Sequence, residues 1–192
     1  MKTILFVTGV LLICIVPMSL SAENEAIDRG SFEFGLGTVF DLTLYSGNIE
    51  ANELTIGSGI SMFNVGYFIA NKFAIGGTAS FYKLKPEGAT ESYNEFLFGP
   101  YVTYYIPITE RFLANITGNF QIDSWEYPGD VDRSSQIWFG GSGGATYLIT
   151  TNLGIKGGFG FLYSPNYKDQ GIEVEDTSYT TITISLGFTV YI

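Results

Sequence analysis

The sequence contains no histidine, and its single cysteine, Cys14, stands in an apolar leader at the start of the chain. The first absence removes Ser-His-Asp hydrolysis, His-dependent acyl transfer and most zinc sites. The second means that once the leader is cleaved no disulfide scaffold can hold the fold and no thiol chemistry is available. Charge is scarce as well, at 15% of residues, and bases are outnumbered, 9 Lys and Arg against 19 Asp and Glu. The net charge of −10, or −11 when Lys2 leaves with the leader, excludes the basic surface that a nucleic-acid partner would need. No Pro- or Ser-rich linker divides the remainder, so about 170 residues form one domain. After the leader no apolar run approaches the roughly 20 residues with which a helix spans a bilayer.

The leader itself, residues 1–22, reads as a secretory signal: Lys2 supplies the positive charge, Ile4 to Val16 the apolar run and Ser19-Leu20-Ser21-Ala22 the small-residue cleavage region. A transmembrane anchor is the alternative, but the run is too short for one. Residues 23–192 remain as the mature domain.

What the sequence has in excess is aromatic surface, 16% of residues, together with 24 glycines. Both are arranged with a period of two. Phe32, Phe34, Leu36, Thr38, Phe40, Leu42 and Leu44 alternate with Glu33, Gly35, Gly37, Val39, Asp41 and Thr43. In a strand, such alternation sends one set to each face. Seven further segments follow: Leu54 to Ile69, Phe73 to about Lys83, Tyr93 to Ile106, Arg111 to Asp123, Ser135 to Ile149, Leu153 to Tyr163 and Ser178 to Ile192. In the second, the apolar set switches from even to odd positions, which a β-bulge near Met62 to Asn64 would produce. A strand of about 11 residues tilted by about 40° covers roughly 28 Å, the height of the apolar band of an outer-membrane barrel.

The connections alternate in length. Those at Tyr45 to Glu53, Leu84 to Ser92, Ser124 to Ser134 and Ser164 to Thr177 are long, and those at Ala70 to Lys72, Pro107 to Glu110 and Thr150 to Asn152 are short. An even strand count with short turns at one end and long loops at the other predicts an all-β fold: an eight-stranded antiparallel up-and-down transmembrane β-barrel with periplasmic turns and termini and extracellular loops. Tyr67, Phe73, Tyr104, Phe112 and Tyr147 would form an aromatic girdle near the turns, and Tyr45, Phe81, Phe96, Tyr163 and Tyr179 one near the loops.

On these residues the chain resembles the small outer-membrane β-barrel family, the outer membrane protein β-barrel domain with its OmpA- and OmpX-like barrels. Its most specific pieces are Val65-Gly66-Tyr67-Phe68-Ile69-Ala70-Asn71-Lys72-Phe73-Ala74-Ile75-Gly76-Gly77 and Gly99-Pro100-Tyr101-Val102-Thr103-Tyr104-Tyr105. The resemblance implies surroundings of outer-membrane lipid and lipopolysaccharide, assembly by the insertion machinery and periplasmic chaperones, a monomer, and no cofactor. It also implies a C-terminal assembly signal, whose positions are filled by Ser185, Gly187, Val190 and Ile192. The last two are aliphatic where the family pattern has aromatics. The resemblance does not imply the peptidoglycan-binding role of members that carry a further domain after the barrel. The enzymatic members of such barrels, lipid A-modifying and protease types, depend on histidine.

Strand parity turns Glu33, Asp41, Glu95 and Asp123 inward, with Arg111 and Lys156 as basic partners. Paired carboxylates can divide acid and base roles, but inward charges in a polar lumen ordinarily pair with one another. The expected network joins Glu33 or Glu95 to Lys156. The glycine pairs, Gly76-Gly77, Gly140-Gly141, Gly143-Gly144 and Gly157-Gly158, lie within strands and match no phosphate-binding loop. The long loops carry eleven acids against three bases, most densely at Glu173-Val174-Glu175-Asp176, whose spacing does not match an EF-hand. Eight strands leave an interior that side chains can fill. The expected function is therefore a non-enzymatic barrel that supports the outer membrane or presents acidic loops for adhesion or partner binding; the alternative is a narrow conduit for ions or small solutes.

Overall fold

Every inward residue that matters for function is positioned by one repeated device, the alternation of faces along antiparallel strands. The computed structural model describes residues 27–47, 55–84, 93–126, 134–165, 167–169, 172–174 and 177–192. The leader, residues 1–22, and much of the four long connections lie outside the described residues. Eight long strands form the wall: β1 (Phe32–Gly47), β2 (Thr55–Ala70), β3 (Phe73–Leu84), β4 (Tyr93–Pro107), β5 (Phe112–Glu126), β6 (Ser134–Leu148), β7 (Leu153–Ser164) and, after two short strands, β10 (Thr177–Tyr191). Each pairs antiparallel with its neighbours in the order β5-β4-β3-β2-β1-β10-β7-β6, and a β5–β6 pairing closes the ring. Closure leaves the wall no free edge. No helix among the described residues is long and apolar enough to cross a membrane.

The short strands β8 (Tyr167–Asp169) and β9 (Ile172–Val174) form a small hairpin in the last long connection. It docks on the rim of β6, with Ser135 opposite Lys168 and Gln136 opposite Tyr167. Three-residue strands leave no periodicity to read, so the sequence alone gave only a loop there.

The bulge in β2 is real but lies earlier than its expected place. Thr38 pairs with Ser61 and Phe40 with Ser58, so the extra residue falls between Ser58 and Ser61. Met62 then sits opposite Gly37. The sequence pattern misplaced the slip because an apolar residue at position 62 continues the even-numbered set by accident.

The outer surface is apolar on all eight wall strands. Leu36 is 59% exposed, Phe159 63% and Leu186 59%, with Phe63, Ile75, Phe98, Ile116 and Phe139 completing the circuit. Soluble proteins rarely expose apolar patches beyond a few hundred Å², whereas a belt encircling a closed barrel is the surface a bilayer covers. Tyr67, Phe112 and Tyr147 face outward near the short turns, and Phe81, Phe96 and Tyr163 near the long connections. Tyr179 does not join that outer girdle: its side chain is buried in the lumen, with its ring 6.4 Å from that of Trp138. Its odd number places it on the face of Thr181 and Thr183, which alternation dictates even at a strand end. The Tyr45 side chain lies outside the described ones.

The turns are built from local hydrogen bonds. Thr109 Oγ1 accepts from the amides of Arg111 and Phe112, and Thr150 Oγ1 accepts from those of Asn152 and Leu153. The same Ile-Thr-x-x pattern thus makes both turns, each Thr satisfying backbone donors that the ladder leaves free. In the third, Ala70-Asn71-Lys72-Phe73, Lys72 takes a left-handed conformation with φ 67°.

Candidate functional site: the barrel lumen

Near the turn end of the barrel, Glu33 of β1 is fully buried. A carboxylate there is costly unless donors meet it. Two do. Tyr101 and Tyr105 stand four residues apart on β4 and therefore share its inward face. Tyr101 Oη donates to Glu33 Oε1 at 2.5 Å, and Tyr105 Oη donates to Oε2. Lys156 of β7 completes the chain, its Nζ donating to Tyr105 Oη at 3.0 Å and lying 5.3 Å from that ring's centroid. The polarity runs in one direction, from ammonium to phenol to carboxylate, with the Tyr105 hydroxyl accepting from Lys156 and donating to Glu33.

Two glycines make room for this arrangement. A Cβ on Gly66 would stand 2.5 Å from Tyr101 Oη and 2.7 Å from Glu33 Cγ, and one on Gly76 would stand 2.5 Å from Tyr101 Cζ. Tyr101 therefore lies across bare backbone of β2 and β3, a use of glycine that strand context favours.

Beneath the network the lumen is shut. Phe68, Ala74, Tyr105, Leu113, Leu148 and Tyr191 pack with Ile27, which is 1% exposed, into one buried cluster. The rings of Phe68 and Tyr105 are 5.6 Å apart, and those of Tyr105 and Tyr191 6.2 Å. Ile27 precedes the first strand and is tied into the base by backbone bonds: Lys72 N donates to its carbonyl at 2.7 Å, and Gly30 N donates to Phe68 O at 2.8 Å. Arg29 N donates to Asn71 Oδ1. The segment before β1 thus folds under the barrel as a stopper.

Above the network the lumen is polar and incompletely filled. A cavity of about 120 Å³ is lined by Asn64, Thr78, Asn115, Asn119 and Lys156 among others. Its origin is visible in the register. Asn115 and Asn119 of β5 sit opposite Gly144 and Gly140 of β6, and Gly144 sits opposite Gly158 of β7. β5 carries amides and hydroxyls on its inward face, while its neighbour β6 carries glycine at 140 and 144 with Ser142 between them. Thr78 Oγ1, Asn115 Nδ2 and Asn119 Oδ1 are buried without a protein hydrogen-bond partner. Toward the loop end, Asp123 is buried against Glu95, with Gln136 and Trp138 close to it on β6.

The expected lumen charges therefore divide. Glu33 meets Lys156 through the Tyr105 hydroxyl, whereas Glu95 lies far up the strand beside Asp123. Arg111 is a correction: β5 begins at Phe112, and Arg111 is exposed in the turn before it, because the Thr109 turn ends the alternation one residue later than parity assumed. Asp41 pairs with Thr183 and Gly57 in register, and its side chain lies outside the described ones. Of the C-terminal positions, Val190 and Ile192 face outward, Ser185 lines the cavity and Gly187 stands opposite Gly37 at the junction of β1 and β10. Phe32 N donates to Ile192 O at 2.7 Å, which brings both ends of the barrel sequence to the turn end. Most of the acidic loop residues, including Glu175 and Asp176, lie outside the described residues.

Tyr101 and Tyr105 were the residues that sequence reasoning missed. Their signal was available, as two bulky phenols on the face that also carries Glu95, Leu97, Gly99 and Thr103.

This fold is found in known structures. The chain superposes on Neisserial surface protein A with a TM-score of 0.65 at 16% identity, covering 84% of this chain and 99% of that one. This is the fold of the small outer-membrane β-barrels. Similar superpositions relate this small barrel to the outer membrane protein OprG of Pseudomonas aeruginosa, with a TM-score of 0.53 at 10% identity over 88% and 99% of the two chains. The N-terminal β-barrel domain of OprF from the same organism gives 0.50 at 13% identity over 84% and 98%. No family model matches the sequence, and no curated protein sequence matches it either. At these identities the likeness establishes the fold and leaves the role to the residues themselves.

Proposed function

We propose that this chain is an integral outer-membrane barrel that works without catalysis, supporting the membrane or presenting its acidic connections to a partner outside the cell. In this reading the turns and both termini face the periplasm, lipid and lipopolysaccharide surround the apolar belt, and residues 1–22 are removed on export. The insertion machinery and periplasmic chaperones deliver it, with Ser185, Gly187, Val190 and Ile192 as the sequence they read. The observation that carries the reading over a conduit is the buried cluster at the base, where Ile27, Phe68, Leu113 and Tyr191 fill the cross-section. An ion crossing it would lose its hydration against a largely apolar, closely packed layer. The absence of histidine and the commitment of Glu33 to two phenols support a non-catalytic role.

Planar-bilayer recording of the refolded protein tests this directly. Silence is the expected result, and stable discrete openings would establish the conduit instead. Folding into the barrel is checked separately by gel migration, which should differ between boiled and unboiled samples.

A further inference from the structure

We propose that the lumen cavity is a binding site for a small neutral polyol of about three carbons. The cavity, about 120 Å³, has room for several waters or one such molecule. What it offers is mixed. Asn115 Nδ2 is a donor and Asn119 Oδ1 an acceptor, each buried without a protein partner, and Thr78 Oγ1 can serve as either. Asn115 is only 4% exposed, and its own oxygen lies toward Gly144, a Cβ on which would stand 3.2 Å away. Its amide protons are thereby left for the cavity. Hydroxyl groups, which donate and accept at the same atom, fit such a set better than an ion of either sign.

Charge leads to the same class. Lys156 is the one charged side chain among the described residues that line the cavity, so a cation is disfavoured. An anion is disfavoured too. Lys156 already leans on the Tyr105 ring and donates to its hydroxyl, which passes the interaction to Glu33. Anything arriving from the loop end must also pass Glu95 and Asp123. The remaining ammonium protons of Lys156 can still hydrogen-bond a hydroxyl oxygen. Because the base is closed by the Ile27 cluster, the site passes nothing through to the turn end. Gly141 of β6 and Gly157 of β7 border the cavity and put no side chain into it.

The test follows the side-chain amide resonances of Asn115 and Asn119 in the refolded protein in detergent micelles, titrated with glycerol, 1-propanol or acetate. Glycerol is expected to shift both resonances saturably, and 1-propanol, which keeps the carbon skeleton with one hydroxyl, to leave them in place. Asn119→Leu, read through Asn115, is expected to weaken the glycerol effect by about fivefold, the factor for one neutral hydrogen bond. Shifts that grow linearly and equally with glycerol and 1-propanol would reduce the cavity to solvent and overturn the proposal. Acetate binding more tightly than glycerol would overturn it as well, by making the Lys156 charge the determinant. The comparison of glycerol with 1-propanol needs no variant, so a substitution that failed to fold would not protect the idea.

Discussion

At the base of the barrel Phe68, Tyr105, Leu113 and Tyr191 are closed to solvent in one packed cluster, whereas higher in the same lumen Thr78, Asn115 and Asn119 border a cavity. Both regions are drawn from the inward faces of the same strands. The difference lies in volume. The base receives a large residue from most strands and one more from outside the wall, Ile27, and its single carboxylate is met by two donors. The upper region receives glycines from β6 and β7 and amides from β5. A small barrel can thus be packed at its base and leave a polar cavity higher up without any change of topology, because filling is decided position by position.

Substitutions should report this contrast in urea unfolding of the refolded protein. Glu33→Ala removes the acceptor shared by two buried phenols, and is expected to cost about 3–5 kcal/mol, as for other buried charge networks broken on one side. A loss below about 1 kcal/mol would show that the base is hydrated like the rest. Ile27→Ala should cost about 2–3 kcal/mol if the stopper is packed as core; an unchanged midpoint would mean the segment before β1 merely rests against the barrel. Gly66→Ala pushes a methyl group into Tyr101 and Glu33, with an expected cost of about 1–2 kcal/mol. The result that would count against this seat for Tyr101 is an alanine tolerated without loss. Thr78→Val deletes an unpaired hydroxyl in the upper lumen and should change stability by no more than about 0.5 kcal/mol, since nothing in the protein depends on that oxygen. A cost as large as that of Ile27→Ala would erase the distinction between the two regions.

How far the sequence could be read follows from the range of each interaction. Faces were legible along most of each strand, Met62 beside the bulge and Tyr179 at a strand end excepted, because alternation repeats over every long strand and a slip would turn each side chain around. That is why Glu33, Asp123 and Lys156 were placed inward from residue numbers alone. Arg111 was misplaced because alternation says nothing about where a strand starts, and the Thr109 turn decides that locally. The Ile27 stopper left no trace, being one residue without a periodic neighbour. Tyr101 and Tyr105 were visible as residues but not as partners of Glu33, since that contact depends on which strands lie across the lumen and on the space that Gly66 and Gly76 leave. The bulge was inferred from the parity switch, yet its position required the register of β1 against β2.

The pairing of β1 with β10 runs without interruption from Glu33 opposite Tyr191 to Gly47 opposite Thr177. Every other wall pair joins strands that are successive in the wall's chain order, so its ends are brought together by closing one connection. This pair alone joins opposite ends of the described chain. Loop closure grows dearer by about 0.6 kcal/mol with each doubling of length, and contacts distant in sequence are the slow ones. Time therefore enters the structure at one place: a ribbon of hairpins can form early and in any order, and the moment at which it becomes a barrel is set by the encounter of its first and last strands.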